Sequence, residues 1–477
     1  MIGLYRLFVV FNILAAFVAA LIFPLGEERI LLVVTAHLSL AALLIFPAFT
    51  HQKISLIDPL NLFLIYVVIG GVAPAYFISG ETTSRIQYLM NGRPVDDFIY
   101  IGIWYCISLF LIGVGYSSLK RGYSIEKFLP ADNTLSPKGI NMAMIIALIA
   151  SMLAAIEFIS STGGVGETIA SVSSKRTVEV VSQGEVVMSA AGYLRMVGDF
   201  AVIMMLVALA YFIEKRGRLG LSIKVMLTLL FLTGCIIPFV ASSRSSIIFI
   251  LFGVGVVFHA HKKLTRVRMI VALIALLVLF SAMTALRSFS QGGGEGRIPN
   301  PFVALAESGN GYSLIGTTHI LLGVPEEMDY KLGASYFTWI FSPIPRSLWP
   351  TKPDVSLGKE VKEEIMGQQV IRSGRPPSFI SEGWINFGPV GLIINAVVFG
   401  MAMRLVANSL LPIISRYAFA PALYYSLALN IPALANSALS QGIVRILTDM
   451  ALILLVYFIV QWRLLLGSGS SKVSRSY

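Results

Sequence analysis

Residues 340–391 read IFSPIPRSLWPTKPDVSLGKEVKEEIMGQQVIRSGRPPSFISEGWINFGPVG. The stretch starts among aromatic residues, passes through prolines and charges, and runs without a break into an apolar segment of membrane length. It closes the only long polar-containing segment of an otherwise apolar chain. A basic, proline-stiffened loop that returns to a membrane face fixes the class of protein and marks where chemistry is to be sought.

Composition agrees. Of the 477 residues, 56% are hydrophobic and 13% charged, where soluble domains carry about a quarter charged residues. A mean hydropathy of +0.80 places the chain in the membrane class. The net charge of +11 raises nucleic acid as a partner, but the charge distribution follows topology instead, so no nucleic-acid partner is expected. Cys106 and Cys235 both fall inside apolar runs, with no metal-ligand spacing and no second cysteine in an exported loop. The run Leu4 to Phe23 has a single Arg6 before it and no small-residue cleavage site ahead of Pro24. It reads as a retained span rather than a signal peptide.

Runs of about 20 apolar residues, enough to cross a hydrocarbon core, fall at 4–23, 30–49, 58–79, 98–117, 139–159, 192–213, 222–240, 242–260, 268–286, 385–407, 417–435 and 443–464. Isolated crossings must satisfy their own backbone hydrogen bonds, so they are helices. The expected fold is an all-α polytopic membrane protein of about twelve spans. In chain order it divides into a bundle at 1–286 (spans 1–9), a large external loop at 287–383 with interfacial helices and helix-compatible pieces around 301–323, and a bundle at 384–477 (spans 10–12).

Lys and Arg set the orientation. With the N-terminus inside, 19 of the 36 fall on the cytoplasmic side and 8 in the shorter external connections. The rest lie in the long loop, which is too long to count. Both termini are therefore expected in the cytoplasm and the loop outside. Its segment YFTWIFSPIPRSLW (336–349) has the mixed aromatic and apolar character of a piece lying at the lipid interface.

Four arginines stand at the outer ends of spans: Arg195, Arg244, Arg287 and Arg445. Arg195 and Arg445 each precede an aspartate by four residues (Asp199, Asp449), which puts both side chains on one helix face. An internal ion pair would offset the cost of a carboxylate in the membrane. Taken together, however, like charges at one depth repel unless an anion gathers them, and the planar guanidinium matches phosphate oxygens. Arg244 sits in Ser242-Ser243-Arg244-Ser245-Ser246 at a helix start, which also favours an anion; snorkelling to the interface is its plainer explanation. Arg346, Lys352, Arg372 and Arg375 form a second basic set among Pro343, Pro345, Pro350, Pro353, Pro376 and Pro377. Those prolines lower the cost of ordering the loop on binding, against the ordinary role of solvated loop charge. Glu382, at the return to the membrane, is a candidate general base, or else an acid complementing a helix dipole. His319 is the one histidine outside the spans and the cytoplasmic face, and is either catalytic or structural. No HExxH, Walker loop, GxGxxG or Ser-His-Asp pattern is present, so no metal and no cofactor is expected.

At these residues the chain resembles a known family. Thr317-Thr318-His319, Gly333-Ala334-Ser335-Tyr336, Pro345-Arg346, Trp349-Pro350-x-Lys352-Pro353, Glu382-x3-Asn386-Phe387-Gly388-x2-Gly391 and the upstream Ser243-Arg244-Ser245 are similar to the Wzy-type oligosaccharide repeat-unit polymerases, the O-antigen polymerases. The resemblance covers about 160–391 in motifs and the rest in topology. It implies a GT-C-like membrane glycosyltransferase of the bacterial inner membrane with a periplasmic active site. Such enzymes transfer a growing glycan from undecaprenyl diphosphate to a new lipid-linked unit. Implied partners are undecaprenyl-diphosphate-linked glycans, the lipid bilayer and a chain-length regulator. On this reading Arg244, Arg346, Arg372 and Arg375 bind diphosphate, and Glu382 or His319 takes the acceptor proton. An O-antigen ligase shares the topology and donor. A flippase or secondary transporter, of a different class, would carry broken helices near midplane and an internal repeat. Alanine at Arg346 or Glu382 is expected to abolish chain extension and leave single-unit-capped lipopolysaccharide. A normal ladder of chain lengths on a gel of both variants would refute the assignment.

Overall fold

The computed structural model describes residues 2–22, 28–50, 55–80, 83–129, 135–161, 179–182, 185–188, 191–216, 220–241, 243–263, 303, 312–344, 348–349, 351–368 and 374–467. Its helices in chain order are α1 (Ile2–Ile22), α2 (Glu28–Phe49), α3 (Pro59–Val67), α4 (Ala73–Ser79), α5 (Ser84–Met90), α6 (Val95–Ser118) and α7 (Pro137–Ser161). There follow α8 (Ala191–Arg216), α9 (Leu221–Val240), α10 (Arg244–Ala260), α11 (Leu314–Gly323), α12 (Phe379–Leu410), α13 (Ala420–Ala433) and α14 (Leu439–Gly467). A π turn, Val68–Val72, joins α3 to α4 within one apolar run.

Among the described residues, nine helices are long and apolar enough to cross a membrane. Their outward faces are apolar as well: Leu7, Phe17, Leu21, Val390, Ile394 and Phe458 are all more than half exposed. So many exposed large apolar side chains are compatible with lipid and not with water. The chain is a helical, multi-pass membrane protein.

Three of the twelve expected spans have a different outcome. The run at 242–260 forms the 17-residue α10, about 25 Å long at the helical rise. That at 417–435 forms the 14-residue α13, continued by a 3-10 turn, Leu434–Asn436. The run at 268–286 lies outside the described residues. One feature is not helical. Glu179–Ser182 and Glu185–Met188 pair as an antiparallel hairpin, β1 and β2, in the connection expected to be a loop. Each strand carries a Val-Val pair, and the two strands lie two residues apart in sequence, the spacing that hairpins favour.

The chain forms two compact units that do not follow its linear order. The first comprises residues 1–123, 300–409 and 427–445; the second comprises 124–299, 410–426 and 446–477. In the first, Leu43, Leu44, Phe63, Phe98, Ile112 and Phe399 form part of one core, with Phe63 edge-on to Phe399 at 5.0 Å. Small residues let its helices approach closely. A Cβ on Gly115 of α6 would lie 2.1 Å from the Val397 carbonyl oxygen of α12, and one on Gly400 would lie 2.1 Å from that of Ile112. Such close backbone approach through glycine is how membrane helices gain packing contact. In the second unit α8 is the central helix: every residue from Phe200 to Ile213 is buried, as expected for a helix apolar all round.

The segment expected to be an external loop contributes α11 to the first unit, where it packs along α6. Tyr312, just before α11, stacks on Tyr105 at 4.5 Å. It accepts a hydrogen bond from the Tyr105 hydroxyl on its carbonyl (2.7 Å), and its own hydroxyl meets Ser108 (2.8 Å). Its N–H donates to the Tyr66 carbonyl. Tyr105 lies ten residues into α6, about 15 Å along the helix. The other end of α11 reaches Leu89 and Arg93, just ahead of α6. α11 therefore lies alongside the N-terminal half of α6, capped at its own N-terminus by Ser313, whose hydroxyl accepts from the Gly316 N–H.

Leucine at Gly115 or Gly400 is expected to lower stability by on the order of 1–3 kcal/mol or more, because backbone cannot move aside as a side chain can. Gly255, with open space around it, should tolerate alanine. Thermal unfolding in nanodiscs measures both.

Candidate functional site

Glu382 lies in the first turn of α12 and is 0% exposed. One carboxylate oxygen accepts from the Ser335 hydroxyl (2.7 Å) and the other from the Leu439 N–H (2.6 Å), the first residue of α14. Asn386, one turn on, donates to the Ser335 hydroxyl (2.7 Å) and to the Glu382 carbonyl (2.8 Å), and accepts from the Gly333 N–H (2.8 Å). The Ser440 hydroxyl donates to the Ser335 carbonyl. The network pins together the segment at Gly333–Ser335, the first turns of α12 and the start of α14.

The remaining motif residues shape the backbone. α12 breaks at Phe387 (φ −142°) and Gly388 (φ 61°, ψ −143°), just before Pro389. That conformation of Gly388 is open only to glycine. Beyond the break, a Cβ on Gly391 would sit 2.0 Å from the Gly383 carbonyl oxygen, so both glycines let the two legs touch. Gly333 (φ 91°) turns the chain ahead of a 3-10 helix, Ala334–Phe341. Its Tyr336 hydroxyl accepts from Asn395 (2.9 Å). The sequence motifs around Glu382 and Gly333 are therefore two halves of one hydrogen-bonded junction. A general base must reach the proton it removes, whereas Glu382 is sealed and both its oxygens are engaged. Its geometry is that of a cap on α14 and of an acid in the first turn of α12, where the helix dipole favours negative charge.

A second cluster forms around Leu89 at the C-terminal end of α5. The Leu89 carbonyl accepts from His319 Nε2 (3.0 Å) and from an Arg375 Nη (3.3 Å). Arg93 Nε donates to His319 Nδ1 (3.1 Å), which fixes the neutral tautomer with its proton on Nε2. Burial, then the Arg375 and Arg93 charges, push the His319 pKa down to about 4. With both nitrogens engaged and no exposed surface, His319 is a fixed spacer between two arginines. Arg93 is balanced by Glu327 (3.2 Å) and Asp97 (3.8 Å). Arg375 has no carboxylate within ion-pair distance among the described residues. Its N–H donates to the Gly358 carbonyl, and its side chain runs beside Gly316 in the first turn of α11. Burial and the nearby Arg85 push its pKa down to about 10, which leaves it cationic at neutral pH. The α5 segment is held against the loop by Tyr88 donating to Gln368 (3.2 Å), Asn91 donating to the Met366 carbonyl (2.9 Å) and Gln368 donating to Asn91 (2.9 Å).

The other expected site residues are placed differently. Lys352 donates to the Ser342 (3.3 Å) and Ile344 (2.6 Å) carbonyls, closing the proline-rich loop on itself. Arg346, Arg372 and Arg287 lie outside the described residues. Arg244 opens α10. Arg195 is exposed, with its guanidinium over the Phe158 ring at 5.7 Å. Arg445 is exposed and interacts electrostatically with Tyr66. Arg195 and Arg244 belong to the second unit, Arg445 to the first. Sequence reasoning missed Arg85 and Arg93, counted there only for orientation. The available signal was a short helix capped by Thr83, with Arg85 in its first turn and Arg93 just after it. Among the described residues, no group of three or more His, Cys, Asp or Glu could hold a metal ion. No family model, characterised protein or solved structure matches the chain.

The depressed His319 pKa has a defined consequence for stability. The unfolded imidazole takes up a proton below about 6.5 and the folded one only near 4, so His319 stabilises fully above 6.5 and progressively less as pH falls to 4. The shift corresponds to on the order of 3 kcal/mol. Melting temperatures should fall more steeply between pH 6.5 and 4 in the wild type than in His319→Gln, which keeps a donor and an acceptor.

Proposed function

We propose that this protein is a GT-C-like glycosyltransferase of about twelve spans. It extends lipid-linked oligosaccharide repeat units at the outer leaflet of the bacterial inner membrane, with both termini in the cytoplasm. The observation that carries the reading is Arg375. A partly buried guanidinium without a carboxylate partner among the described residues, beside the short apolar helix α11, suits an anion that arrives with the substrate. In the reaction, the acceptor sugar's hydroxyl oxygen forms a bond to the donor's anomeric carbon. The bond from that carbon to the diphosphate oxygen breaks, its electron pair leaves on undecaprenyl diphosphate, and the acceptor hydroxyl's proton passes to the departing diphosphate or to water. Arg375, with Arg346 and Arg372 of the same loop, stabilises the charge that grows there. His319 and Glu382 hold the site in shape.

A transporter is the second reading. The π turn in the α3–α4 run and the break at Phe387 and Gly388 are interruptions of the kind that line transport sites.

Purified protein in nanodiscs, given two lipid-linked repeat units and no ion gradient, is expected to extend them. Arg375→Ala should reduce extension by roughly 10- to 100-fold per lost charged hydrogen bond. Glu382→Ala should lower the melting temperature and with it the activity. Lost extension at an unchanged melting temperature would return Glu382 to the role of base. Gradient-dependent movement of lipid-linked units without extension would select the transporter.

A further inference from the structure

Three basic side chains come together around Leu89, and their charge balance differs. Arg93 is paired with Glu327 and Asp97 and is spent on holding His319. Arg375 and Arg85 have no carboxylate within ion-pair distance among the described residues. Arg85 stands one helical turn before Leu89 on α5, whose carbonyl holds Arg375. Its guanidinium lies over the Tyr88 ring at 5.1 Å, and Tyr88 is tied through Gln368 to the loop that carries Arg375. Arg85 lies near enough that its charge, after burial, makes the Arg375 cation harder to sustain. Like charges on α5 and on the loop packed against it repel, and an anion between them relieves that repulsion. Arg375 is partly enclosed and held by the Leu89 carbonyl, whereas Arg85 is exposed.

We propose that Arg85 is the second arm of the anion site, closing with Arg375 on a ligand that carries two phosphoryl groups, with Arg93 and His319 positioning the pair. This rests on the lipid-diphosphate reading above and adds to it a residue from the connection before α6. Two cationic arms select a diphosphate over a monophosphate, because the single phosphoryl group of the latter satisfies one arm only.

Binding of geranylgeranyl diphosphate and geranylgeranyl monophosphate to the full chain in nanodiscs tests this, alongside the extension assay. Arg85→Gln is expected to weaken diphosphate binding roughly 10- to 100-fold, the loss of one charged hydrogen-bonding arm, and monophosphate binding much less. Arg85→Lys, which keeps the charge without the fork, should fall between. Arg121→Gln, at an exposed site in the same unit, should bind both lipids as the wild type does. The melting temperature of Arg85→Gln should stay at the wild-type value, since the side chain is exposed. Unchanged diphosphate affinity in Arg85→Gln, with extension lost in Arg375→Ala, would overturn the second arm and leave the functional reading standing. Equal loss of both lipids would overturn the two-phosphoryl selectivity. A wild-type protein that neither binds the diphosphate nor extends repeat units would overturn the functional reading and the proposal with it.

Discussion

A fully buried carboxylate holds the candidate site together. Glu382 receives hydrogen bonds from Ser335 and from the first N–H of α14, and Asn386 locks the same serine from the other side. A charge in a low-dielectric interior is tolerated only when its lone pairs are met. The segments that this network joins are therefore constrained together. They are the turn at Gly333, the 3-10 helix that follows it, the broken start of α12 and the start of α14. The break at Gly388 and the close contact of Gly383 with Gly391 set the path α12 takes from this junction.

The cationic cluster is built on a different principle. Its backbone anchor is one carbonyl, that of Leu89, shared by His319 and Arg375. A neutral imidazole between two guanidinium groups keeps them apart without adding charge, and its depressed pKa follows from burial and from those same neighbours. Three stretches distant in sequence supply the cluster: residues 85–93, α11, and the coil at 374–378. Helix α11 is the common element, since His319 sits on it and the Arg375 side chain runs beside its Gly316. Tyr312 fixes its position through stacking and hydrogen bonds to α3 and α6.

Much of this was legible in the sequence in kind but not in role. The motifs around Glu382, Asn386, Gly388 and Gly391 stood out, and they do form one constellation, yet their geometry is that of a junction. Lys352 stood out as a loop cation, and it spends its donors on loop carbonyls. A lone carboxylate or ammonium in sequence carries no information about which donors or carbonyls will meet it. Arg375 is partly buried and donates to the Leu89 carbonyl.

The sequence by itself determined the class of the molecule. Apolar runs of membrane length and a low charge content leave a chain no soluble alternative, and helices are then the way to satisfy the backbone. Only the tertiary structure decided which donors and carbonyls meet each polar side chain. It brought Arg93 to His319 and Arg375 to Leu89 across more than two hundred residues of chain, packed the helix of the long loop along α6, and folded α10 and α13 short. Periodicity and hydropathy are local properties, whereas the balance of a buried charge depends on partners that only packing supplies.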